Sequence, residues 1–185
     1  MLKSQKAMGE DDKPIVVEVD GIKFTSISRY YDGDTPQIAH RLKDNDPETI
    51  DLVARRLSEV ISPFCVIVPV PNRCGYARET LDMAKALSKQ SGVPIADVLR
   101  GNKRESLYQV KKEGRILTEE ELGFRQVAQL PFYRTPVFLD NVVATGLTAK
   151  AAYHAVGRGE VLTYAIDDQL LEKSQSLMEK CSIRR

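Results

Sequence analysis

The clearest chemical signal lies in residues 137–148, which read Val-Phe-Leu-Asp-Asn-Val-Val-Ala-Thr-Gly-Leu-Thr. The apolar start predicts a buried strand, the Thr-Gly-x-Thr end predicts a turn, and an Ala-rich helix follows. In an open α/β sheet, ligands bind where the carboxyl ends of strands meet the amino ends of helices. Free helix amides, the helix dipole and the hydroxyls of Thr145 and Thr148 would surround one small volume, which suits a phosphomonoester.

Two polar residues, Asp140 and Asn141, stand just before this turn. They would lie about a sugar's width from the phosphate, where an acidic side chain accepts hydrogen bonds from ribose hydroxyls. Gly146 would let the backbone approach the phosphate because glycine carries no Cβ. The alternative is a plain helix cap after a buried strand. The coincidence of strand, polar pair, turn and helix favours the ligand site.

The elements that must position this turn follow from the spacing of apolar residues. A continuous apolar run at residues 64–70 predicts a strand that is covered on both faces. Other predicted strands and helices alternate along the chain: a helix at 79–89, strands at 94–99 and 136–139, a helix at 148–156, a strand at 161–166, and a last helix capped by Asp167 or Asp168. This alternation predicts an α/β fold, with a central parallel sheet flanked by helices.

The amino-terminal part of the chain has a different pattern. Two β-rich runs flank Asp20-Gly21 and predict a tight hairpin, and helical spacing follows over residues 38–61. A hairpin does not fit a parallel winding, so we interpret it as an accessory cover. We therefore predict a single domain, in which residues 1–62 form part of a hood and residues 63–185 form the α/β core.

The segment from Asp140 to Thr148 resembles the ribose-5-phosphate fingerprint of type I phosphoribosyltransferases, in which two acidic residues precede a Thr-Gly-x-Thr loop. The resemblance implies the fold of that family and binding of 5-phosphoribosyl pyrophosphate (PRPP) together with Mg²⁺. Asp140 and Asn141 would then hold the ribose hydroxyls, and Asp140 would act on Mg²⁺ indirectly. The 5′-phosphate would lie on Ala144, Thr145, Gly146, Leu147 and Thr148.

Two positions depart from the family pattern. Asn141 replaces the second acidic residue and contributes no negative charge toward Mg²⁺ or a developing oxocarbenium ion. Ala144 stands where 6-oxopurine salvage enzymes carry an Asp that manages a proton of the purine ring. The resemblance therefore disfavours hypoxanthine-guanine salvage, whereas adenine-type enzymes also have Ala at this place.

Two further segments match the family's pyrophosphate side. Pro71, Asn72 and Arg73 follow the first predicted parallel strand, at the sheet edge that carries the phosphate turn. The family receives pyrophosphate there, and Arg73 offers a fork of donors for phosphate oxygens. Lys103 and Arg104 begin a polar stretch that matches the family's mobile basic loop, which closes over pyrophosphate. The alternative for the first segment is that its prolines merely end a strand. The alternative for the second is an ordinary charged surface loop.

A closer resemblance extends to ComF-like, competence-associated phosphoribosyltransferase-like proteins. It rests on four segments: Tyr31-Asp32-Gly33, Arg41-Leu42-Lys43, Pro69-Val70-Pro71 followed by residues 74–78, and Lys103-Arg104 with Gln109. The amino-terminal Cys-x-x-Cys zinc module of those proteins does not occur in this sequence. This resemblance implies either an enzyme or an accessory protein of DNA uptake.

Composition limits the other classes of function. A formal net charge of +1 gives no global reason to expect nucleic-acid binding, although a local basic patch stays open. Three scattered cysteines, the polar opening residues and the lack of a long apolar run lead us to expect a cytoplasmic protein that does not span a membrane. The sequence leaves open whether the protein forms a homodimer.

The sequence is compatible with three functions. The first is a Mg²⁺-dependent phosphoribosyltransferase that transfers phosphoribose from PRPP to a nucleobase-like nitrogen acceptor and releases pyrophosphate. Its catalytic residues would be Asp140, Asn141, Lys103 and Arg104. The second is a catalytically weak regulator that binds PRPP or nucleotides, or a DNA-uptake accessory. The third is a module for another sugar phosphate.

Overall fold

A computed structural model describes residues 13–105 and 107–182, without the side chains of residues 107, 108, 111 and 177–182. Seven strands are formed in this part of the chain: β1 (Ile15–Val19), β2 (Ile22–Arg29), β3 (Cys65–Pro69), β4 (Leu99–Arg100), β5 (Arg125–Gln126), β6 (Thr135–Val143) and β7 (Glu160–Ile166). Seven helices accompany them: α1 (Thr35–Lys43), α2 (Pro47–Ser58), α3 (Glu79–Ser91), α4 (Leu107–Lys112), α5 (Glu119–Leu122), α6 (Leu147–Val156) and α7 (Asp168–Ser182).

The central sheet has the strand order β1-β2-β7-β6-β3. Only β1 and β2 pair antiparallel, and the pairs β2–β7, β7–β6 and β6–β3 are all parallel. The prediction of an α/β fold with a central, mostly parallel sheet flanked by helices is confirmed. Every residue of β3 is buried, as expected for an apolar strand that has a helix layer on each face.

Two apolar cores lie on opposite faces of the sheet. One face packs against α1, α2 and α3, and the other packs against α6 and α7. Adjacent residues of a strand point to opposite faces, so Phe138 and Leu139 of β6 enter different cores and are both fully buried. Burying each such side chain stabilises the fold by about 1.5–3 kcal/mol. The strand that leads to the turn is therefore held from both sides.

Three local predictions need correction. The hairpin β1–β2 forms, but it is not a separate cover, because β2 pairs with β7 and extends the central sheet. The predicted strand at 94–99 is reduced to one bridge between Ile67 and Ile95, and Leu99–Arg100 pairs instead with β5 in a small second sheet. The third strand continues past residue 139 to Val143, because its pairing with β7 persists to that point.

In the described part of the chain, no helix is both long enough and apolar enough to cross a membrane.

Candidate functional site

The turn after β6 leads directly into α6. Gly146 precedes the helix in a left-handed conformation with φ +80°, and its carbonyl accepts the Lys150 N–H at 2.9 Å. The Thr145 hydroxyl accepts the Leu147 N–H at 3.4 Å. The amides of Thr148 and Ala149 lie in the first turn, where helix geometry supplies no carbonyl partner. The helix start therefore presents unpaired amides and the positive end of the helix dipole.

The backbone conformation at position 146 favours glycine. A side chain there would hold the left-handed conformation only at a cost of about 1–2 kcal/mol. A Cβ would also lie 3.1 Å from Cδ1 of Leu170, a buried residue of α7. The turn can bend this sharply, and lie this close to α7, because residue 146 has no side chain.

A cavity of about 480 Å³ opens beside this turn. Its walls come from Tyr31, residues 110 and 115–117, Asp140, residues 142–149, Asp167 and Gln169. Its volume suits a small ligand, since ligand pockets typically measure about 300–1,000 Å³. The start of α6 and Asp140 therefore line the same open cavity.

Asp140 is half-buried near the carboxyl end of β6. Burial raises the pKa of its carboxyl from 3.8 to about 6, although the Asn141 N–H, Lys43 and Arg104 favour the charged form. The Asn141 N–H donates to Asp140 Oδ1 at 2.8 Å. A carboxyl group whose pKa lies close to neutrality accepts hydrogen bonds from hydroxyl groups when ionised and can exchange a proton near pH 6.

Asn141 does not line the cavity with Asp140. Its side chain is buried, and its Oδ1 atom accepts no hydrogen bond from any described residue. Neighbouring residues of a strand point to opposite faces, so Asp140 and Asn141 cannot both face the same ligand while β6 continues to Val143. The structure separates the two polar residues that the sequence places side by side.

The predicted pyrophosphate residues lie outside the cavity. Asn72 donates its side-chain amide to Glu79 Oε2 at 2.8 Å and accepts the Cys74 N–H at 2.8 Å, so it stabilises its own loop. Pro71 is buried, and Arg73 is exposed. This loop follows β3, which is the neighbour of β6 in the sheet.

Lys103 and Arg104 also lie outside the cavity, but Arg104 connects the loop to the site. Its Nη1 donates to the Asn72 carbonyl at 2.8 Å, and its backbone N–H donates to the Arg73 carbonyl at 2.9 Å. Its charge also acts on the Asp140 carboxyl, because the two side chains interact electrostatically. Lys103 is exposed beside it.

Several cavity residues are absent from the sequence-based site. Tyr31 and Asp167 follow β2 and β7, and Arg115 comes from the segment between α4 and α5. The general rule that ligands bind at the carboxyl ends of parallel strands could have identified Tyr31 and Asp167. That rule needs the strand order, however, and no sequence pattern shows that β2 pairs with β7. Arg115 belongs to the polar, basic stretch that begins at Lys103, but no sequence pattern singles it out from the other basic residues there.

Arg115 is held by three carboxylates. Its guanidinium contacts Glu105 at 3.1 Å, Glu113 at 3.3 Å and Glu121 at 2.9 Å. Glu121 also accepts the Thr118 N–H at 2.9 Å and completes a capping box at the start of α5. These contacts hold the Arg115 side chain at one rim of the cavity.

No described set of three or more His, Cys, Asp or Glu side chains forms a cluster that could hold a metal ion alone. Asp140 and Asp167 both face the cavity and supply hard oxygen donors. Mg²⁺ commonly binds one or two carboxylates together with phosphate oxygens and water, and this donor set fits that mode.

No family model and no curated protein matches this sequence. Among solved structures, it is similar to adenine phosphoribosyltransferase from Trypanosoma brucei in complex with AMP, pyrophosphate and ribose-5-phosphate (13% identity, 78% of this chain and 83% of that chain, TM-score 0.46). It is also similar to adenine phosphoribosyltransferase from Leishmania donovani (16% identity, 72% and 59%, TM-score 0.44).

A further similarity is to glutamine PRPP amidotransferase from B. subtilis (9% identity, 63% and 35%, TM-score 0.37). The chain spans 25% of an allosteric regulatory enzyme of purine biosynthesis, at 15% identity and TM-score 0.42, and about a third of the B. subtilis enzyme. At these TM-scores, the similarities assign neither a family nor an activity to this chain. The resemblance to ComF-like proteins stays a prediction.

Proposed function

We propose that the cavity binds PRPP and that the protein transfers its phosphoribosyl group to a nitrogen acceptor, with release of pyrophosphate. One observation carries this proposal: the unpaired amides at the start of α6 and the Asp140 carboxyl face one cavity of about 480 Å³. In this proposal, the 5′-phosphate lies on residues 145–148 and the ribose hydroxyls donate to Asp140.

The physical case for the phosphate rests on charge and geometry. The start of a helix combines backbone N–H donors with about half a positive charge, which favours an anion. The Thr145 and Thr148 side chains line the same wall and add two hydroxyls. A sugar is the group that connects such a phosphate to a nearby carboxyl, because its vicinal hydroxyls are donors.

The leaving pyrophosphate would lie on the β3 side of the sugar. Arg73, Lys103 and Arg104 bring three positive charges to that side, and Arg104 fixes the loop through the Asn72 carbonyl. Positive groups near a departing pyrophosphate stabilise the charge that develops during bond cleavage. The side-chain amide of Asn72 donates a hydrogen bond to Glu79. The predicted contact of this amide with phosphate therefore requires that hydrogen bond to break.

Mg²⁺ is proposed as the companion of PRPP. Asp140 would act on the ion indirectly, through water, and pyrophosphate oxygens would supply most of its ligands. The ion would neutralise charge on the leaving pyrophosphate. Asp140 would have a second task, which is to orient the ribose.

A protein that binds PRPP without transferring it is the second candidate. The specific observation in its favour is that Asn141 faces away from the cavity and carries no charge. Of the two predicted residues, only Asp140 would therefore stabilise positive charge that develops on the sugar. Such a protein would act as a sensor of phosphoribosyl compounds.

The experiment that separates these candidates measures pyrophosphate release from PRPP and Mg²⁺ with a panel of nucleobases. A transferase releases pyrophosphate in step with nucleotide formation, and the Asp140→Asn variant loses most of this activity. The exposed Asp44→Asn is a matched control that should keep it. If PRPP binds but no base yields a nucleotide, the protein is the sensor. If PRPP does not bind, both candidates are wrong.

A further inference from the structure

Three aromatic side chains are exposed at the edge of the sheet that lies opposite the cavity. Phe64 comes just before β3, and Phe132 and Tyr133 come just before β6, which is the parallel neighbour of β3. The starts of parallel neighbouring strands lie at one edge of a sheet, and the cavity lies beyond the other edge. The exposed fractions of the three residues are 76%, 89% and 70%, respectively. We call these three residues the amino-edge surface.

The amino-edge surface is continuous and rigidly held. The rings of Phe132 and Tyr133 meet edge to face, with their centroids 5.4 Å apart. The Arg134 guanidinium lies 5.8 Å from the centroid of the Tyr133 ring, and its Nη1 donates to the carbonyls of the two residues that flank Phe64, both at 3.0 Å. Arg134 therefore connects the segment before β3 to the segment before β6. A surface that is ordered in advance loses little conformational entropy when a partner binds.

The positive charges near this surface are used within it. Arg158 donates through Nη1 to the Arg134 carbonyl at 2.7 Å and through Nη2 to the Pro131 carbonyl at 2.9 Å. In the part of the chain that the structure describes, no carboxylate forms an ion pair with Arg134 or Arg158. The two guanidinium groups thus hold the backbone that carries the rings. Arginine together with aromatic residues is typical of the centre of a protein interface.

Charges of both signs lie beside the amino-edge surface. Lys23 and Glu160 form an ion pair at 2.9 Å, and they line a small pocket together with Ser62 and Cys65, which lie close to Phe64 in the chain. A nucleic acid would favour a surplus of exposed positive charge, whereas the whole chain has a formal net charge of +1. The surface and its surroundings therefore suit a protein partner that offers apolar groups and both signs of charge.

The exposed area of the rings is close to what a stable dimer needs. A whole aromatic side chain buries about 150–250 Å². At their exposed fractions, the three rings offer on the order of 450 Å² per copy, and thus about 900 Å² for two copies. Stable interfaces bury about 1,200–2,000 Å² in total, so the rings alone supply about three quarters of the lower limit. Monomeric proteins rarely expose a continuous apolar patch larger than about a few hundred Å².

We propose that the amino-edge surface binds a second copy of this chain and that the protein forms a two-fold symmetric dimer through it. In such a dimer, the same surface of each copy meets its counterpart, so the rings of one copy pack on those of the other. The surrounding Lys23 and Glu160 suit this pairing, because each copy brings both signs of charge to the contact. The two cavities face away from the interface, so dimer formation does not depend on PRPP.

The test measures the oligomeric state of the full chain by sedimentation velocity. Between about 1 and 200 µM, the wild-type chain should change from monomer to dimer, because an interface at the small end of the range binds with about micromolar affinity. The Phe64→Ser and Phe132→Ser double variant should weaken dimerisation by about a hundredfold or more, since central aromatic residues carry most of the binding energy of an interface. Both side chains are exposed, so this variant should keep the melting temperature of the dissociated wild-type chain.

A matched control removes an equally exposed apolar side chain elsewhere. Ile116 is 87% exposed at the rim of the cavity, so Ile116→Ser should dimerise like the wild type. A wild-type chain that stays monomeric at about 200 µM, or a dimer that persists in the double variant, would overturn the assignment. A monomeric chain that binds single-stranded DNA through Phe64 and Phe132 would overturn it in favour of a nucleic acid. None of these outcomes affects the PRPP proposal, because the cavity lies at the opposite edge.

Discussion

Replacing Asp140 by asparagine should make the ligand-free protein more stable at neutral pH. The Asp140 carboxyl has its pKa raised by burial, so the folded protein holds the proton more tightly than the unfolded chain does. Below about pH 3.8 the group is protonated in both states, and its ionisation costs nothing. As the pH rises toward 6, the unfolded chain releases the proton first, and folding loses stability.

The size of this effect follows from the two pKa values. Raising the pKa from 3.8 to about 6 corresponds to about 3 kcal/mol, at about 1.36 kcal/mol for each tenfold change in the proton equilibrium. Above about pH 6 the wild-type protein carries this full loss of folding stability, which then stays constant with pH. Asparagine has nearly the same shape and no charge to bury. Asp140→Asn should therefore be more stable than the wild type by up to about 3 kcal/mol at pH 7.5 and by little near pH 4.

Denaturant unfolding of both proteins between pH 4 and pH 8 measures this difference directly. The free energy of unfolding of Asp140→Asn minus that of the wild type should grow with pH and level off near pH 7. The exposed Asp44→Asn serves as the control, since it also removes one carboxylate. A difference for Asp140→Asn that stays near zero at pH 7.5, or that shrinks as the pH rises, would refute the account of a carboxyl whose ionisation destabilises the folded protein.

Other variants test separate parts of the structure. Asp140→Asn should weaken ribose 5-phosphate binding by about tenfold or more in calorimetry, because a hydrogen bond to a charged group is lost, and an unchanged affinity would argue against its ribose contact. Gly75→Ala places a Cβ 2.4 Å from the Gly101 carbonyl oxygen, whereas Gly92→Ala, at a similar positive φ, meets open space. Gly75→Ala should therefore lower the melting temperature more than Gly92→Ala. Equal decreases in melting temperature would contradict this packing. Thr118→Ala removes the cap of α5 and should cost about 1 kcal/mol in thermal unfolding, with Thr118→Ser keeping most of the stability.

Local sequence patterns predicted the elements that have local causes. Gly92 ends α3 in a left-handed conformation with φ +72°, as the sequence predicts for a glycine at the carboxyl end of a helix. The continuous apolar run before Pro69 became the buried strand β3. In each case the deciding interactions lie within a few residues of one another.

The features that the sequence did not predict depend on pairing between distant segments. The length of β6 is set by its register with β7, which keeps Asp140 and Asn141 inside a strand and turns their side chains to opposite faces. The hairpin joins the sheet only because β2 pairs with β7 over a hundred positions away in sequence. Tyr31 and Asp167 enter the site through that same pairing, which no local pattern encodes.

The most direct measurement compares the binding of ribose 5-phosphate and of ribose, which differ only in the phosphate. The wild-type chain should bind ribose 5-phosphate and show no measurable binding of ribose, because the amides at the start of α6 hold the phosphate. A Thr145→Ala and Thr148→Ala double variant should lose about tenfold or more in affinity for ribose 5-phosphate. Equal affinities for the two sugars, or a double variant that binds as tightly as the wild type, would contradict a phosphate site at this turn.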